Sequence, residues 1–217
     1  LVAGHRPGQA DGALPAILGL RAGDLKEIAA QEWPEQEAPT AFLPWGSDTL
    51  VGFTPAGSAR LALLEAASLA PQGRIITGVR ATDIVLDNGS GTLYVSDDHE
   101  RVHVLKLPGG QEIGLWEGGS PLVLDLANRR LYVDTHAGVR ALDMGDGEVV
   151  ASFAQRGYAA PDPNRDLVYI AQRGVTIFDR SGRELGKLDS TFPAAGGLAP
   201  NAKPYAAVVN PLTGNLG

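Results

Sequence analysis

Three of the four histidines in this chain share a setting. His5, His99 and His136 each lie three or four residues beyond a short apolar stretch ending at Val2, Val95 or Val133, with Asp97, Asp98, Glu100 and Asp134 beside them. Imidazole nitrogens and carboxylate oxygens are ligands for zinc, manganese or iron, and a bound divalent metal can activate water. Arg173 takes the corresponding place further along, and Thr54 the one before His99. His5, Asp97, Asp98, His99, Asp134, His136 and Arg173 therefore read as a candidate rim for a divalent metal or an anionic or polar ligand. His99, His136 and Asp83, the candidate axial acid, are the catalytic candidates among these polar groups. The plain alternative is a set of solvated turn residues, because three imidazoles serve one metal only if they reach a common centre, with bonds of roughly 2.0–2.2 Å.

Other chemistries find little support. With no cysteine there is neither a disulfide nor a thiolate site. The pairs Gly109-Gly110, Gly118-Gly119 and Gly196-Gly197 lack the strand–helix setting and the Lys-Ser/Thr pair of a phosphate loop. Ser47, Ser120 and Ser152 stand in no nucleophile-elbow motif. Trp33, Trp45 and Trp116 suit a sugar-binding surface, but a glycosidase also needs two facing carboxylates about 5–9 Å apart. A net charge of −7 argues against a nucleic-acid partner, whose phosphates require a basic surface. The sequence has no run of 18 apolar residues, hence no helical membrane span.

The elements that must position these residues follow from a repeat. An aspartate precedes an aromatic strand by about seven residues in three places: Asp87 before Leu93-Tyr94-Val95, Asp125 before Leu131-Tyr132-Val133, and Asp162 before Val168-Tyr169-Ile170. The tyrosines are 38 and then 37 residues apart. A period near 40 built of short strands is the signature of radial β repeats, the blades of a propeller. The 28 glycines and 15 prolines accompany 44% hydrophobic residues and a mean hydropathy near zero, so they mark turns in a folded all-β chain and not disorder.

Three full copies are expected, each an inner strand, the tyrosine strand and two more. They run over 84–116, 122–153 and 158–188. A weaker copy begins at Ala41, with strands at 42–43, 49–53, 60–64 and 74–79. Its segment 58–69 has helical propensity, but the repeat register places a strand at 60–64. The N-terminal part reads as strands at 1–3, 16–20 and 25–29, with 31–40 an exposed acidic linker. Tyr205–Val209 suits an innermost strand that would complete the N-terminal blade from the other end of the chain. The expected fold is thus one all-β domain over 1–217: a β-propeller of five four-stranded antiparallel blades, closed by strands from both termini. A piece of a larger ring, cut from a longer precursor, is the competing reading. Asp87, Asp125 and Asp162 are expected to accept hydrogen bonds from their turns, and the three tyrosines to pack between blades.

The blade cores Asp-Leu-Ala-Asn-Arg-Arg-Leu-Tyr-Val (125–133) and Asp-Pro-Asn-Arg-Asp-Leu-Val-Tyr-Ile (162–170) resemble those of the YVTN/NHL-like, or YncE-like, propellers. The likeness covers Asp87–Asp189 well and the flanks loosely, and five repeats depart from the six or seven blades of most such relatives. The resemblance implies a WD40/YVTN-like fold and hardly a reaction, since such propellers include binding proteins, lyases and hydrolases. The preferred expectation is a non-catalytic, extracytoplasmic or cell-surface binding or scaffold domain. It would present its blade-connecting loops to a protein, peptide or glycan, with no cofactor. The alternatives are a hydrolase or lyase using the histidine-bearing side, with a divalent metal, and a purely structural module.

Overall fold

The computed structural model describes residues 2–4, 16–20, 27–32, 41–53, 60–76, 78–172 and 174–188. Every regular element among them is a strand. Strands β1 (Val2–Gly4), β2 (Ala16–Leu20) and β3 (Glu27–Glu32) form a three-stranded sheet. Four-stranded sheets follow, each with its strands adjacent in chain order. The first holds β4 (Ala41–Trp45), β5 (Thr49–Phe53), β6 (Arg60–Glu65) and β7 (Pro71–Ile76). The second holds β8 (Ala81–Asp87), β9 (Thr92–Asp97), β10 (Arg101–Lys106) and β11 (Gln111–Glu117). Then come β12 (Gly119–Asp125), β13 (Arg130–Thr135), β14 (Gly138–Asp143) and β15 (Val149–Phe153). The last sheet is β16 (Tyr158–Asp162), β17 (Leu167–Ala171), β18 (Val175–Asp179) and β19 (Glu184–Leu188). The chain divides into two compact units, Leu1–Leu115 and Trp116–Gly217.

The repeated aspartate makes the first hairpin of each clear copy. Asp87 Oδ1 accepts the Gly89 N–H at 2.9 Å, and its Oδ2 accepts the Ser90 hydroxyl at 2.6 Å. Asp125 accepts the Asn128 N–H at 3.1 Å and side-chain amide at 2.7 Å, and Asp162 accepts the Asn164 N–H at 3.0 Å. A short carboxylate that reaches the amides just ahead of it holds a turn without help from the sheet. Four residues after each aspartate the backbone is left-handed: Gly91 at φ 64°, Arg129 at 52° and Asp166 at 56°. Only the first copy fills that place with the residue that bears it without steric cost.

Alternation along the strands then builds the cores. In the first unit, Val51, Phe53, Leu61, Leu63 and Ile75 of the β4–β7 sheet join Ile84, Leu93, Val95 and Leu105 of the β8–β11 sheet in one buried cluster, with Trp45 packed against it. The other face of β4–β7 is also apolar, with Ala62, Leu64 and Leu69 buried beside Phe42 and Leu50. Burial on both faces explains the unbroken apolar run of β6, whose composition suits a helix while its place in the sheet demands a strand. In the second unit, Tyr132, Val139, Ala141 and Phe153 pack on Ala159, Val168, Ile170 and Phe178. The Phe153 ring lies 6.0 Å from Tyr132 and meets Phe178 edge-on at 5.4 Å. All three repeat tyrosines are buried.

Several strand boundaries differ from the sequence expectation: β8 and β12 begin three residues early, at Ala81 and Gly119, and β7 and β3 are displaced. Strand β7 starts at Pro71, earlier than the 74–79 span expected, because the turn before it takes only residues 66–70 and is closed by the Glu65 N–H on the Ala70 carbonyl at 2.8 Å. Strand β3 runs to Glu32, inside the stretch expected as linker, where Glu32 pairs with Ala16 and Gln31 with Ile17. Tyr205–Val209, and with it the expected closure, lies outside the described residues, as do His5, Trp33, Thr54 and Arg173.

Candidate functional site: the loops between the second and third strands

In the β8–β11 sheet, β9 ends at Asp97 and β10 begins at Arg101, leaving a three-residue turn, Asp98-His99-Glu100. Glu100 takes φ 56°, the left-handed last position typical of such loops. Asp97 is buried at the root of the turn, and its carboxylate organises it. Oδ1 accepts the N–H groups of His99 and Arg101, both at 2.9 Å. Oδ2 accepts Arg101 Nε at 2.9 Å and faces Arg101 Nη2 at 2.7 Å and His103 Nε2 at 3.2 Å. His103, itself buried on β10, turns its Nδ1 to Glu112 Oε2 at 2.6 Å. Burial acts to raise the Asp97 pKa, but the Arg101 and His99 backbone amides, the Arg101 guanidinium and His103 together outweigh it and hold the carboxyl below its ordinary value.

Outside this root, Asp98 Oδ1 and His99 Nδ1 are 2.7 Å apart and exposed. Asp97, Asp98 and His99 each have a ligand-type atom within 4.8 Å of the other two, near enough to be considered as a metal group. Asp97 brings little to such a site. A carboxylate offers about four acceptor positions, and two backbone amides, a guanidinium and an imidazole already occupy them, with a permanent cation alongside.

The corresponding loop of the β12–β15 sheet is built differently. It has two residues, His136 and Ala137, between β13 and β14. Thr135 stands where Asp97 does, three positions after the tyrosine. Its hydroxyl donates to the Gly138 carbonyl at 2.7 Å and accepts the Ala137 N–H at 3.3 Å. Asp134 lies one position earlier, so alternation turns it to the opposite face. There it receives Arg156 Nε at 3.1 Å, Arg156 Nη2 at 2.8 Å and the Gly157 N–H at 3.1 Å. Asp134 thus ties a strand to the connection leading into β16. His136 is exposed in its turn.

Asp83 lies near the start of β8, half-buried, with Oδ1 accepting the Ile84 N–H at 2.9 Å. Of the residues singled out in the sequence, the structure gathers Asp97, Asp98 and His99 in one turn. It gives Asp134 a guanidinium partner and directs the Asp83 carboxylate to its own strand. Sequence reading passed over His103, Glu112, Arg101 and Arg156. The signal for His103 was present: a histidine inside the apolar alternation Val102-His103-Val104, on the strand that returns past Asp97.

No protein-family profile matches the chain, and no curated protein sequence does. Solved structures do. BamB from Moraxella catarrhalis is similar over 81% of this chain and 58% of that one, at 18% identity and a TM-score of 0.54. The hydrazine synthase of Kuenenia stuttgartiensis is similar over 64% and 45%, at 17% identity and TM-score 0.53. The WD40 domain of Toxoplasma gondii coronin is similar over 65% and 43%, at 16% identity and TM-score 0.52. The chain therefore spans about half the length of these structures. At such identities the likeness speaks to fold alone, and with the four-stranded sheets it establishes a β-propeller-like architecture.

Proposed function

We propose that this chain is a non-catalytic binding or scaffold domain that presents its strand-connecting loops to a protein, peptide or glycan. The observation that carries the reading is the engagement of its carboxylates. Asp87, Asp97, Asp125, Asp134 and Asp162 each accept hydrogen bonds from the backbone of a loop. A general acid or base must instead reach the proton it transfers, and a metal ligand must turn its lone pairs to the ion. Loops braced in this way are suited to recognition, because their shape is fixed before the partner arrives and little ordering entropy opposes binding. The fold leaves the matter open, since one similar structure is named for a synthase and another for a WD40 domain. An extracytoplasmic or cell-surface setting belongs to the same proposal, and fractionation of the native host tests it.

The binding test is a screen of the purified chain against glycans, peptides and extracellular proteins. Saturable binding to at least one class is expected, and its absence across all three would count against the proposal. The second reading, a metal-dependent hydrolase or lyase, draws on the Asp97, Asp98 and His99 grouping. Stoichiometric zinc, manganese or iron in freshly purified protein, lost in His99→Ala, would favour it over the first.

A further inference from the structure

In the second unit, a cleft of about 430 Å³ opens beside the β17–β18 turn, a volume suited to a few residues of peptide or a small ligand. Its walls include Gln155 and Arg156 from the connection between β15 and β16, Gln172 from the turn, Thr176 of β18, and Lys187 and Leu188 of β19. The side chains that line the wall carry the opposite charge to the chain as a whole, and each cation is paired with a carboxylate behind it, Arg156 with Asp134 and Lys187 with Glu184. Acidic residues outnumber basic ones by 25 to 18 overall, yet among the described residues the cleft is lined by an arginine and a lysine and by no carboxylate.

Its donors are held in place. The buried Thr176 hydroxyl donates to Gln155 Oε1 at 2.6 Å, which leaves the –NH2 end of that amide as the donor. Asp134 grips Arg156 through Nε and Nη2 and fixes the plane of its guanidinium. Lys187 meets Glu184 at 3.5 Å in an exposed pair of the kind a ligand carboxylate can replace. Leu188, 46% exposed, supplies an apolar rim.

We propose that this cleft binds an acidic peptide, with a carboxylate directed to Lys187 and Arg156 and a neighbouring apolar side chain laid against Leu188. The inference rests on the binding reading above and names its partner. The test is fluorescence titration of the whole chain with labelled N-acetyl-Leu-Glu-Leu-Glu-Leu-amide and, as counterpart, N-acetyl-Leu-Lys-Leu-Lys-Leu-amide. The acidic peptide should saturate and the basic one should not. Binding should weaken as salt is raised, through screening, and Lys187→Glu should weaken it about tenfold or more, a charge reversal at the contact. Lys187→Gln should have a smaller effect in the same direction, while His99→Ala and His136→Ala should leave it unchanged. Lys187 is exposed, so both lysine variants are expected to keep the wild-type melting temperature. Equal affinity for the two peptides, or full affinity in Lys187→Glu, overturns the proposal. Succinate binding as tightly as the peptide would overturn its peptide assignment. A partner from the broad screen that binds Lys187→Glu as well as wild type removes the cleft but leaves the binding reading standing. No partner at all removes both.

Discussion

The β9–β10 and β13–β14 loops stand at the same place in two copies of one repeat, yet they are closed by different means. In the first, a buried carboxylate gathers two backbone amides, a guanidinium and an imidazole around a three-residue turn. In the second, a hydroxyl makes two hydrogen bonds across a two-residue turn. The longer loop leaves more amides without a cross-strand partner, and a carboxylate accepts more of them than a hydroxyl can. The acid in the first loop is therefore accounted for by turn geometry, with no appeal to catalysis. Asp134, although adjacent to the second loop, serves a different task on the other face.

Removing Asp97 should expose this contrast most sharply. Asp97→Ala strands a buried imidazole and two amides, and should cost about 3 kcal/mol in urea unfolding, as loss of one member of a buried charged network does. Thr135→Ala should cost about 1 kcal/mol, the scale of a neutral hydrogen bond. If the two losses were equal, the contrast would be gone. Asp134→Ala should fall between them at about 2 kcal/mol, since its Arg156 partner is half exposed and regains water.

The pH dependence sharpens the same comparison. Asp97 is held below its ordinary pKa in the folded chain, so it contributes stability that is fully present above the unfolded carboxylate value, about 3.9. That contribution is lost as pH falls through the lower folded value. Asp97→Asn should therefore be less stable at neutral pH but lose less on acidification, whereas Thr135→Ala should keep the wild-type acid profile. Unfolding midpoints between pH 2 and 6 decide this.

Two smaller effects compare copies at other positions. Arg129→Gly should raise stability by up to about 1 kcal/mol, because a left-handed backbone costs roughly that much for a residue with a Cβ. Gly91→Ala, at the equivalent turn, should lower it by a similar amount. The buried Tyr132 hydroxyl makes no hydrogen bond of good geometry among the described residues, and burial, with the Asp125 charge, pushes its pKa up against a poorly aligned contact with the Arg130 side chain and the charges of Arg130 and Arg180. Tyr132→Phe should be close to neutral in thermal unfolding, since it removes a poorly satisfied buried polar group and keeps the ring contact with Phe153.

Much of the fold is legible in the sequence, because the period of the aspartate–tyrosine pattern outweighs local propensity. Residues 60–65 form a strand although their composition suits a helix, and the Asp87, Asp125 and Asp162 turns need only neighbours within the same few residues. The boundaries of β7 were less legible, since the length of the turn before it leaves little mark on residue type. The candidate site was legible only in part. Asp97, Asp98 and His99 are adjacent in the chain and so could be grouped on sight. His103 and Glu112 could not be, because their meeting depends on how far the hairpins carry each strand past the last.

The amino-acid sequence by itself determined which segments are strands, which aspartates close the first hairpins and where the tyrosines lie buried. Each depends on spacing along the chain, and spacing survives without a partner. Only the tertiary structure decided what the polar residues do. Asp97 and Asp134 are one position apart in the repeat and face opposite sides of their sheets, so one meets a histidine six residues on and the other an arginine 22 residues on. Those pairings are set by turn length, register and the path between sheets, quantities that no single residue type records.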